Sequence, residues 1–422
     1  MKTSLSIQYA QMQLGIVSLR KHQIKPIQSI LDHRDTLVIA PTSSGKSAIY
    51  QIAALTMAEE KGQWTLVVEP TLSLISDQVQ KLKNRKIPAA YITSLNHAEH
   101  RRIYHDLSRG KLSLLYMTPE KVATVDFQIA TRDNPPWLVV VDEAHCVLDW
   151  GSTFRPAYLE LGRRISWMAS QSHRPVIAAF TATAPSQERE EITQSLGMTK
   201  PCLFTMSLRR DNIIILLKED CTGCDIKYRL KRLKHYIRKY GSTGQVVVYC
   251  SSKKYADLVF NYLDDRFPDK IAKCHAYMDP NRRQRNELDF IHGCKRIMVA
   301  TTAFGMGVDA AAMRLVVHFQ LPLSVVDYYQ QVGRAGRDGQ KSHAVLLYGE
   351  EDIPLNQYIL RSEQYSKSTR SWVDRRLKEM AEIAASDDCI MRQVVAALGE
   401  EDPVNCNHCT NCQKARRCSH ED

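Results

Sequence analysis

Short apolar runs alternate with amphipathic segments along most of the chain. Residues 37–40, 65–68 and 137–141 are apolar at almost every position, which is typical of strands buried on both faces. Between such runs, apolar positions recur at helical spacing, so the alternation predicts two parallel sheets, each covered by helices. Residues 203–217 are predicted to be a linker between the sheets, and the pattern from about residue 350 predicts helices only.

The predicted fold class is therefore α/β, with two tandem parallel-sheet domains followed by a small helical module. We place the domain boundaries at residues 1–206, 207–348 and 349–422. A chain of 422 residues has room for two to three domains of ordinary size. No apolar run approaches the roughly 20 residues that span a bilayer, and the first 15 residues are too polar for a signal peptide.

Residues 37–47, LVIAPTSSGKS, join an apolar run to an amphipathic segment through a loop of small residues. A strand, a small-residue loop with Gly-Lys-Ser and a helix together predict a phosphate-binding loop. Lys46 is expected to reach the outer phosphates and the Ser47 hydroxyl to bind Mg²⁺. A Gly/Ser turn that merely ends a strand is the alternative. The candidate ATP-binding residues of the loop are Thr42, Ser43, Ser44, Gly45, Lys46 and Ser47.

Two adjacent carboxylates, Asp142 and Glu143, end a fully apolar run and are followed by Ala144 and His145. Ligands of parallel sheets bind beyond the carboxyl ends of the strands, so these acids are expected to face the phosphate-binding loop. Asp142 can then hold Mg²⁺, and Glu143 can orient and deprotonate the water that attacks the γ-phosphate. An acidic loop with no catalytic role is the alternative.

Residues 330–339, QQVGRAGRDG, which we call the arginine loop, place Arg334 and Arg337 three positions apart near a predicted helix end. An arginine delivered from a second domain can stabilise the charge that spreads over the γ-phosphate oxygens in the transition state. The flanking small residues leave room for such an approach. A basic surface turn is the alternative.

Two aromatic residues, Trp150 and Phe154, stand with Arg155 in a Gly/Ser-containing loop directly after the acids. Aromatic side chains stack on single-stranded bases at about 1–3 kcal/mol each, so this loop is a candidate nucleic-acid contact. The alternative is that both rings fold back into a local core.

Four cysteines near the end of the sequence, Cys389, Cys406, Cys409 and Cys412, have the spacing C-x16-C-x2-C-x2-C. Four thiolates at such spacing can close a tetrahedral, structural Zn²⁺ site. Iron–sulfur ligation is the rival interpretation, because C-x2-C-x2-C also occurs there. The last three of these cysteines, at 406, 409 and 412, form a knuckle. His408 lies inside this knuckle and is interpreted as solvated.

The formal net charge of +11 suits a polyanionic partner such as nucleic acid, although many basic proteins bind none. The twelve cysteines are not interpreted as a disulfide framework, because we expect a reducing compartment. We expect a cytoplasmic, nucleoid-associated protein with no membrane partner.

Taken together, the motifs resemble those of the RecQ family of superfamily 2 helicases, from about Leu14 to Cys412. The resemblance rests on LRKHQ, APTSSGKS, EPTLSLISDQV, MTPE, DEAHCVLDWGSTFRP, ATTAFGMGVD and YYQQVGRAGRDG. It implies two RecA-like domains and a zinc-binding module. It also implies ATP- and Mg²⁺-dependent 3′→5′ movement on single-stranded DNA, with unwinding of tailed duplexes in repair and recombination. The resemblance leads us to expect a short form that lacks the winged-helix and helicase C-terminal modules common in that family, with a truncated chain as the alternative.

The resemblance also assigns roles to single residues. Arg20 is implied to stack on adenine and Gln23 to read its edge, whereas the residues alone favour a solvated Gln23. Arg337 is implied to be the arginine finger. Other residues implied at the catalytic or nucleotide site are His145, Gln330, Arg334, Gly305 and Asp309, and those implied to couple DNA binding to hydrolysis are Trp150, Phe154 and Arg155. EPTLSLISDQV is implied to hold the DNA backbone, a segment in which Glu69 is a departure.

Three alternatives of function stay open. The first is a nucleic-acid-stimulated ATPase with weak or no unwinding. The second is an RNA helicase of the DEAH/DEAD type. The third is a nucleic-acid binder whose ATP site is only a switch, and the intact Glu143 and Arg337 argue against it.

Overall fold

Strands form where the apolar runs are longest. The computed structural model describes residues 2–41, 44–149, 156–171, 174–182, 185–304, 312–362 and 367–418. The chain divides into two compact units, Met1–Ser207 (unit 1) and Leu208–Asp422 (unit 2). The three-domain division drawn from the sequence stays a prediction.

Unit 1 is built on a seven-stranded sheet in the order β3-β4-β2-β5-β6-β1-β7, with every described pairing parallel. Buried side chains on both faces of the central strands explain their nearly continuous apolar sequences. The strands are β1 (Thr36–Ile39), β2 (Thr65–Val68), β3 (Ala89–Ile92), β4 (Leu114–Met117), β5 (Leu138–Val141), β6 (Val176–Thr181) and β7 (Cys202–Thr205).

Helices connect these strands and cover the sheet. They are α1 (Lys2–Gln13), α2 (Lys21–Leu31), α3 (Lys46–Lys61), α4 (Leu72–Asn84), α5 (His100–Ser108), α6 (Pro119–Val122), α7 (Val125–Thr131), α8 (Cys146–Asp149), α9 (Pro156–Gln171) and α10 (Ser186–Ser195), with one 3-10 turn at His97–Glu99. Helix α3 begins after Gly45, whose φ of +85° lies in the left-handed region that favours glycine.

Unit 2 repeats the plan with a six-stranded parallel sheet in the order β10-β11-β9-β12-β13-β8. Its strands are β8 (Ile213–Asp220), β9 (Gln245–Tyr249), β10 (Ile271–Cys274), β11 (Ile297–Ala300), β12 (Met313–His318) and β13 (Ser342–Tyr348). Its helices are α11 (Ile226–Tyr240), α12 (Lys253–Asp264), α13 (Pro280–Ile291), α14 (Val325–Val332), α15 (Asp352–Ser362), α16 (Lys367–Ala385), α17 (Ile390–Ala397) and α18 (Thr410–Cys418).

The fold class predicted from the sequence is confirmed, with two parallel-sheet units and helices after the last strand. The linker predicted over residues 203–217 is wrong at both ends. Its first residues extend β7, which pairs with β1, and its last residues belong to β8, which pairs with β13. Only residues 206–212 connect the two strands. No helix among the described residues is long and apolar enough to cross a membrane.

The strand order positions the candidate site of unit 1. Neighbouring strands β2, β5, β6 and β1 all run the same way, so their carboxyl ends meet at one edge of the sheet. Glu69, Asp142, Ala182 and Ala40 each directly follow one of these strands. The phosphate-binding loop and the acidic residues therefore share that edge, which is where parallel sheets bind ligands.

Candidate nucleotide site and metal centre

The lysine of the phosphate-binding loop of unit 1 bonds to the residue that directly follows β1. Lys46 is buried, 9% exposed, and its Nζ donates a hydrogen bond to the Ala40 carbonyl at 3.1 Å. Its ammonium therefore lies inside the loop, bound to a carbonyl oxygen that a phosphate oxygen can replace. The Ser47 hydroxyl accepts a hydrogen bond from Gln78 Nε2 at 3.2 Å.

Arg20 and the first turn of α2 bond to the backbone of the phosphate-binding loop. Arg20 Nη1 donates to the Ser44 carbonyl at 3.1 Å, and His22 Nε2 lies 3.0 Å from the same oxygen. Gln23 Nε2 donates to the Gly45 carbonyl at 3.1 Å, and its Oε1 accepts from the Arg20 backbone N–H at 2.9 Å. Gln23 is only 4% exposed, so the solvated interpretation is wrong. The sequence reasoning missed His22, for which no local pattern gives a signal.

The two adjacent acids end β5 in different environments. Asp142 is 5% exposed and accepts hydrogen bonds from the Glu143 backbone N–H at 2.9 Å and the Tyr50 hydroxyl at 3.4 Å. Glu143 has a φ of +48°, a strained conformation for a residue with a side chain. Its carboxylate lies 3.5 Å from His145 Nδ1, and that nitrogen is 3.1 Å from Thr181 Oγ1. The turn at Glu143 therefore places the Asp142 carboxylate near Tyr50 and the Glu143 carboxylate near His145.

A third carboxyl group, that of Glu69, is enclosed in the same region. Glu69 is fully buried, and its carboxyl group shares a hydrogen bond with the carboxyl group of Asp142. Burial, with Asp142 and Glu143 nearby, raises its pKa well above the ordinary value, and Lys46 opposes the rise. Burial and Glu143 also raise the pKa of Asp142. The resemblance made Glu69 a departure within a segment expected to hold the DNA backbone, and its side chain lies beside the acids of the candidate nucleotide site.

Without metal or nucleotide, the Glu69→Gln variant is expected to be more stable than the wild type at pH 8 and equally stable near pH 4. Because the folded pKa of Glu69 is raised, the folded wild type holds a proton that the unfolded chain releases above about pH 4.5. Wild-type stability therefore falls as the pH rises, by about 1.4 kcal/mol for a pKa difference of one. Denaturant unfolding at several pH values in EDTA measures this.

The exposed Glu60→Gln is the matched control, since it makes the same change of charge away from the buried acids. Its unfolding free energy is expected to follow the wild type across the pH range. If E69Q had the same advantage in unfolding free energy over the wild type at pH 4 and at pH 8, or had no advantage at pH 8, the raised pKa of Glu69 would not be the cause.

The arginine loop of unit 2 begins inside α14. Gln330 is half-buried there, and the neighbouring Gln331 bonds to His318 Nε2 at 2.9 Å. Arg334 is 8% exposed and bonds to the Tyr249 side chain, whereas Arg337 is half-buried. Burial raises the pKa of Tyr249, and both arginines oppose that rise, so both guanidinium groups lie near its ring hydroxyl. The loop thus places one arginine in the core of unit 2 and a second nearer its surface.

The four cysteines of unit 2 converge. Their sulfur atoms all lie within 4.8 Å of one another, with Cys389 Sγ 3.5 Å from Cys406 Sγ and 4.0 Å from Cys409 Sγ. Four thiolates around tetrahedral zinc stand about 3.8 Å apart, given a Zn–S distance of about 2.3 Å. Asn411 Nδ2 donates to the carbonyls of Ser386 and Asp388, which fixes the knuckle against the end of α16. The cluster fits a structural zinc ion.

Replacing Cys409 by serine is expected to abolish stoichiometric zinc binding and to lower the stability of unit 2. A bound metal at about 1,000 times its Kd stabilises the folded state by about 4 kcal/mol, and three ligands hold zinc far less tightly than four. Metal analysis of the purified protein and thermal unfolding measure both effects. Cys224→Ser is the control, because Cys224 is exposed and lies outside the cluster. Full zinc content in C409S would contradict the assignment.

Several predicted site residues lie outside the described residues. They are Thr42 and Ser43 of the phosphate-binding loop, Trp150, Phe154 and Arg155 of the aromatic loop, and Gly305 and Asp309. Their assigned roles stay predictions.

Comparisons with known proteins assign a class to each part of this arrangement. Residues 20–192 match the DEAD/DEAH box helicase family, residues 228–339 the helicase conserved C-terminal domain, and residues 350–413 the RecQ zinc-binding domain. The class is therefore a helicase core with a zinc-binding module. The last match also favours zinc over an iron–sulfur cluster at the four cysteines.

Similarity along most of the chain identifies the family. The chain is 34% identical to the ATP-dependent DNA helicase RecQ of Synechocystis sp. over 358 residues, which are 82% of this chain and 73% of that protein. It is 31% identical to the probable ATP-dependent DNA helicase RecS of Bacillus subtilis, covering 91% of this chain and 74% of the relative. The chain belongs to the RecQ family of helicases. It spans 66% of the length of the Bacillus subtilis RecQ helicase, to which it is 32% identical over 95% of its own length.

Solved helicase structures share the fold. The helicase MrfA bound to DNA matches with a TM-score of 0.68 and 18% identity, over 90% of this chain and 56% of that one. Mss116p bound to single-stranded RNA and AMP-PNP matches with a TM-score of 0.66 and 16% identity, over 93% of this chain and 87% of that one. The two RecA-like units expected from the sequence are confirmed by this similarity.

Proposed function

We propose that this chain hydrolyses ATP and uses the hydrolysis to move 3′→5′ along single-stranded DNA and to unwind tailed duplexes, in repair and recombination. The observation that carries the proposal is the shared sheet edge in unit 1. There a buried lysine inside a phosphate-binding loop lies beside two acids of unequal environment, in a chain of the RecQ family.

The residues of unit 1 divide the work of hydrolysis. Lys46 exchanges its carbonyl partner for phosphate oxygens of ATP. Ser47 and Asp142 offer the hydroxyl and carboxylate oxygens that Mg²⁺ prefers, and the ion supplies positive charge at the β- and γ-phosphates. Glu143 orients the attacking water and accepts its proton, with His145 fixing its carboxylate. Arg20 and Gln23 complete the site at the adenine.

The arginine loop of unit 2 supplies the remaining charge. Arg337 acts as the finger on the γ-phosphate in the transition state, and Arg334 and Gln330 support it from α14. Gly305 and Asp309 belong to the same nucleotide site. Trp150, Phe154 and Arg155 contact DNA and make hydrolysis depend on it. A nucleoid location follows from the proposed substrate.

A second candidate is an RNA helicase of the DEAD type, favoured by the fold similarity to Mss116p bound to RNA. The chain has a RecQ zinc-binding match, and relatives that match most of its length are named DNA helicases. Both observations favour DNA. The comparison of single-stranded DNA with single-stranded RNA of the same sequence as activators of ATP hydrolysis separates the two.

Strand displacement tests the proposal. A duplex with a 3′ single-stranded tail is expected to be separated with ATP and Mg²⁺, but not with a non-hydrolysable analogue. A duplex with a 5′ tail is expected to stay intact, and the inactive Glu143→Gln variant serves as the protein control. ATP hydrolysis without strand separation would leave the nucleic-acid-stimulated ATPase as the function, and equal use of both tails would contradict the direction.

A further inference from the structure

A short segment at the start of unit 2, residues 208–212, contacts the backbone of the arginine loop. Arg210 Nη1 donates to the Gly333 carbonyl at 3.3 Å. Its Nη2 donates to the carbonyls of Ala335 at 3.3 Å and Gly336 at 3.0 Å. Carbonyls that follow the last turn of a helix have no partner within the helix, so one planar guanidinium satisfies three acceptors just before Arg337.

Asn212 adds a second contact to the same loop. Its Nδ2 donates to the Gly336 carbonyl at 2.8 Å and to the Gln340 carbonyl at 3.1 Å. Gly336 has a φ of +57°, and a Cβ at this position would lie 2.5 Å from Asn212 Nδ2. The close approach therefore requires glycine, and the loop is shaped around the segment.

The segment is itself fixed at its first residue. The Tyr329 hydroxyl of α14 donates to the Leu208 carbonyl at 2.5 Å, and the Leu208 backbone N–H donates to Glu400 Oε2 at 2.8 Å. Because Leu208 directly follows the boundary between the units, the loop is tied to the point where unit 2 begins.

The charge of Arg210 is unfavourable at this position. Burial lowers the pKa of Arg210, Tyr329 opposes that fall, and the neighbouring Arg337 adds to it, so two guanidinium groups lie close together. A neutral donor would satisfy the same carbonyls without that repulsion.

We propose that Arg210 is a positioning residue for Arg337. By bonding to the carbonyls of the arginine loop, it fixes the loop backbone that carries Arg337, and so sets where the Arg337 guanidinium meets the γ-phosphate. This inference rests on the proposed function of Arg337, and it adds a direct connection between the start of unit 2 and the loop that completes hydrolysis.

The test is a double-mutant cycle in kcat for DNA-stimulated ATP hydrolysis, measured with radiolabelled ATP so that slow variants remain measurable. R210A alone is expected to lower kcat by about 10- to 100-fold with little change in KM for ATP, because a small misplacement of a catalytic group is costly. In the R337A background, R210A is expected to add less than about twofold, because it acts through Arg337. An equal loss in both backgrounds would overturn the proposal.

Two further variants separate positioning from charge and from folding. R210K keeps the charge but loses the planar fork, so it is expected to recover only part of kcat, and full recovery would overturn the carbonyl-contact account. R209A removes the adjacent charge, whose described bonds go to Asp211 and the Asn405 carbonyl. It is expected to stay within about twofold of the wild type, and a loss equal to that of R210A would also overturn the proposal.

A binding measurement gives a readout without turnover. Aluminium fluoride with ADP mimics the transition state, so the wild type is expected to bind ADP more tightly when fluoride is present. R210A and R337A are both expected to lose that gain while binding ADP alone normally. A full gain in R210A with no gain in R337A would overturn only the inference. A full gain and full kcat in R337A would overturn the proposed function itself.

Discussion

Replacing Arg337 by alanine is expected to lower kcat for ATP hydrolysis by about 10³-fold or more, with ATP binding nearly unchanged. In the proposed mechanism, its guanidinium meets charge that develops on the γ-phosphate only in the transition state. The phosphate-binding loop that holds the ground state belongs to unit 1, whereas Arg337 belongs to unit 2. Steady-state hydrolysis and equilibrium binding of a fluorescent ATP analogue measure the two quantities.

Arg314→Ala is the control for this prediction. Arg314 pairs with Asp338 beside Arg337, so its loss disturbs the end of the arginine loop without removing the proposed finger. Arg314→Ala is expected to lower kcat far less than R337A does. Similar losses in both variants, or wild-type turnover in R337A, would contradict the finger assignment.

The second large effect is expected at Glu143. Glu143→Gln keeps the size and hydrogen-bonding reach of the side chain but cannot take a proton, so kcat is expected to fall by about 10²- to 10⁴-fold. Nucleotide affinity is expected to remain, since the proposed mechanism assigns phosphate binding to Lys46 and the loop backbone. Single-turnover hydrolysis measures the loss of the chemical step, and equilibrium nucleotide binding measures whether affinity is kept.

Lys46→Ala provides the contrast, because it removes the ammonium that, in the proposed mechanism, exchanges its Ala40 partner for phosphate. We expect it to lose affinity as well as turnover. If E143Q lost affinity as strongly as Lys46→Ala, Glu143 would be a binding residue, and unchanged turnover in E143Q would remove it from the mechanism.

The sequence predicted the sheets well because buried parallel strands are apolar at every position. It failed at one edge strand of each sheet, β7 and β8. In β7 (Cys202–Thr205) half-buried and exposed residues alternate, and β8 (Ile213–Asp220) ends in charged residues. Both therefore resembled a linker. The cysteine cluster was predictable because the spacing of the ligands is visible in a short stretch of sequence. The fold brings these four residues together.

Contacts that depend on strand order could not be predicted. Glu69 and Asp142 are 73 positions apart, and they meet only because β2 and β5 are neighbours in the sheet. The same holds for Gln23 with Gly45 and for Arg210 with Gly336, whose partners come from other elements. A motif identifies the side chains that carry the chemistry, whereas the groups that hold them are set by tertiary packing.

In the proposed mechanism, hydrolysis requires residues of both units and depends on DNA. ATP turnover by the wild type, E143Q and R337A, each with and without single-stranded DNA, tests both requirements together. We expect slow wild-type turnover without DNA, strong stimulation by DNA, and almost no turnover in either variant under both conditions. Wild-type turnover that ignores DNA, or stimulated turnover that survives in R337A, would contradict the proposed mechanism.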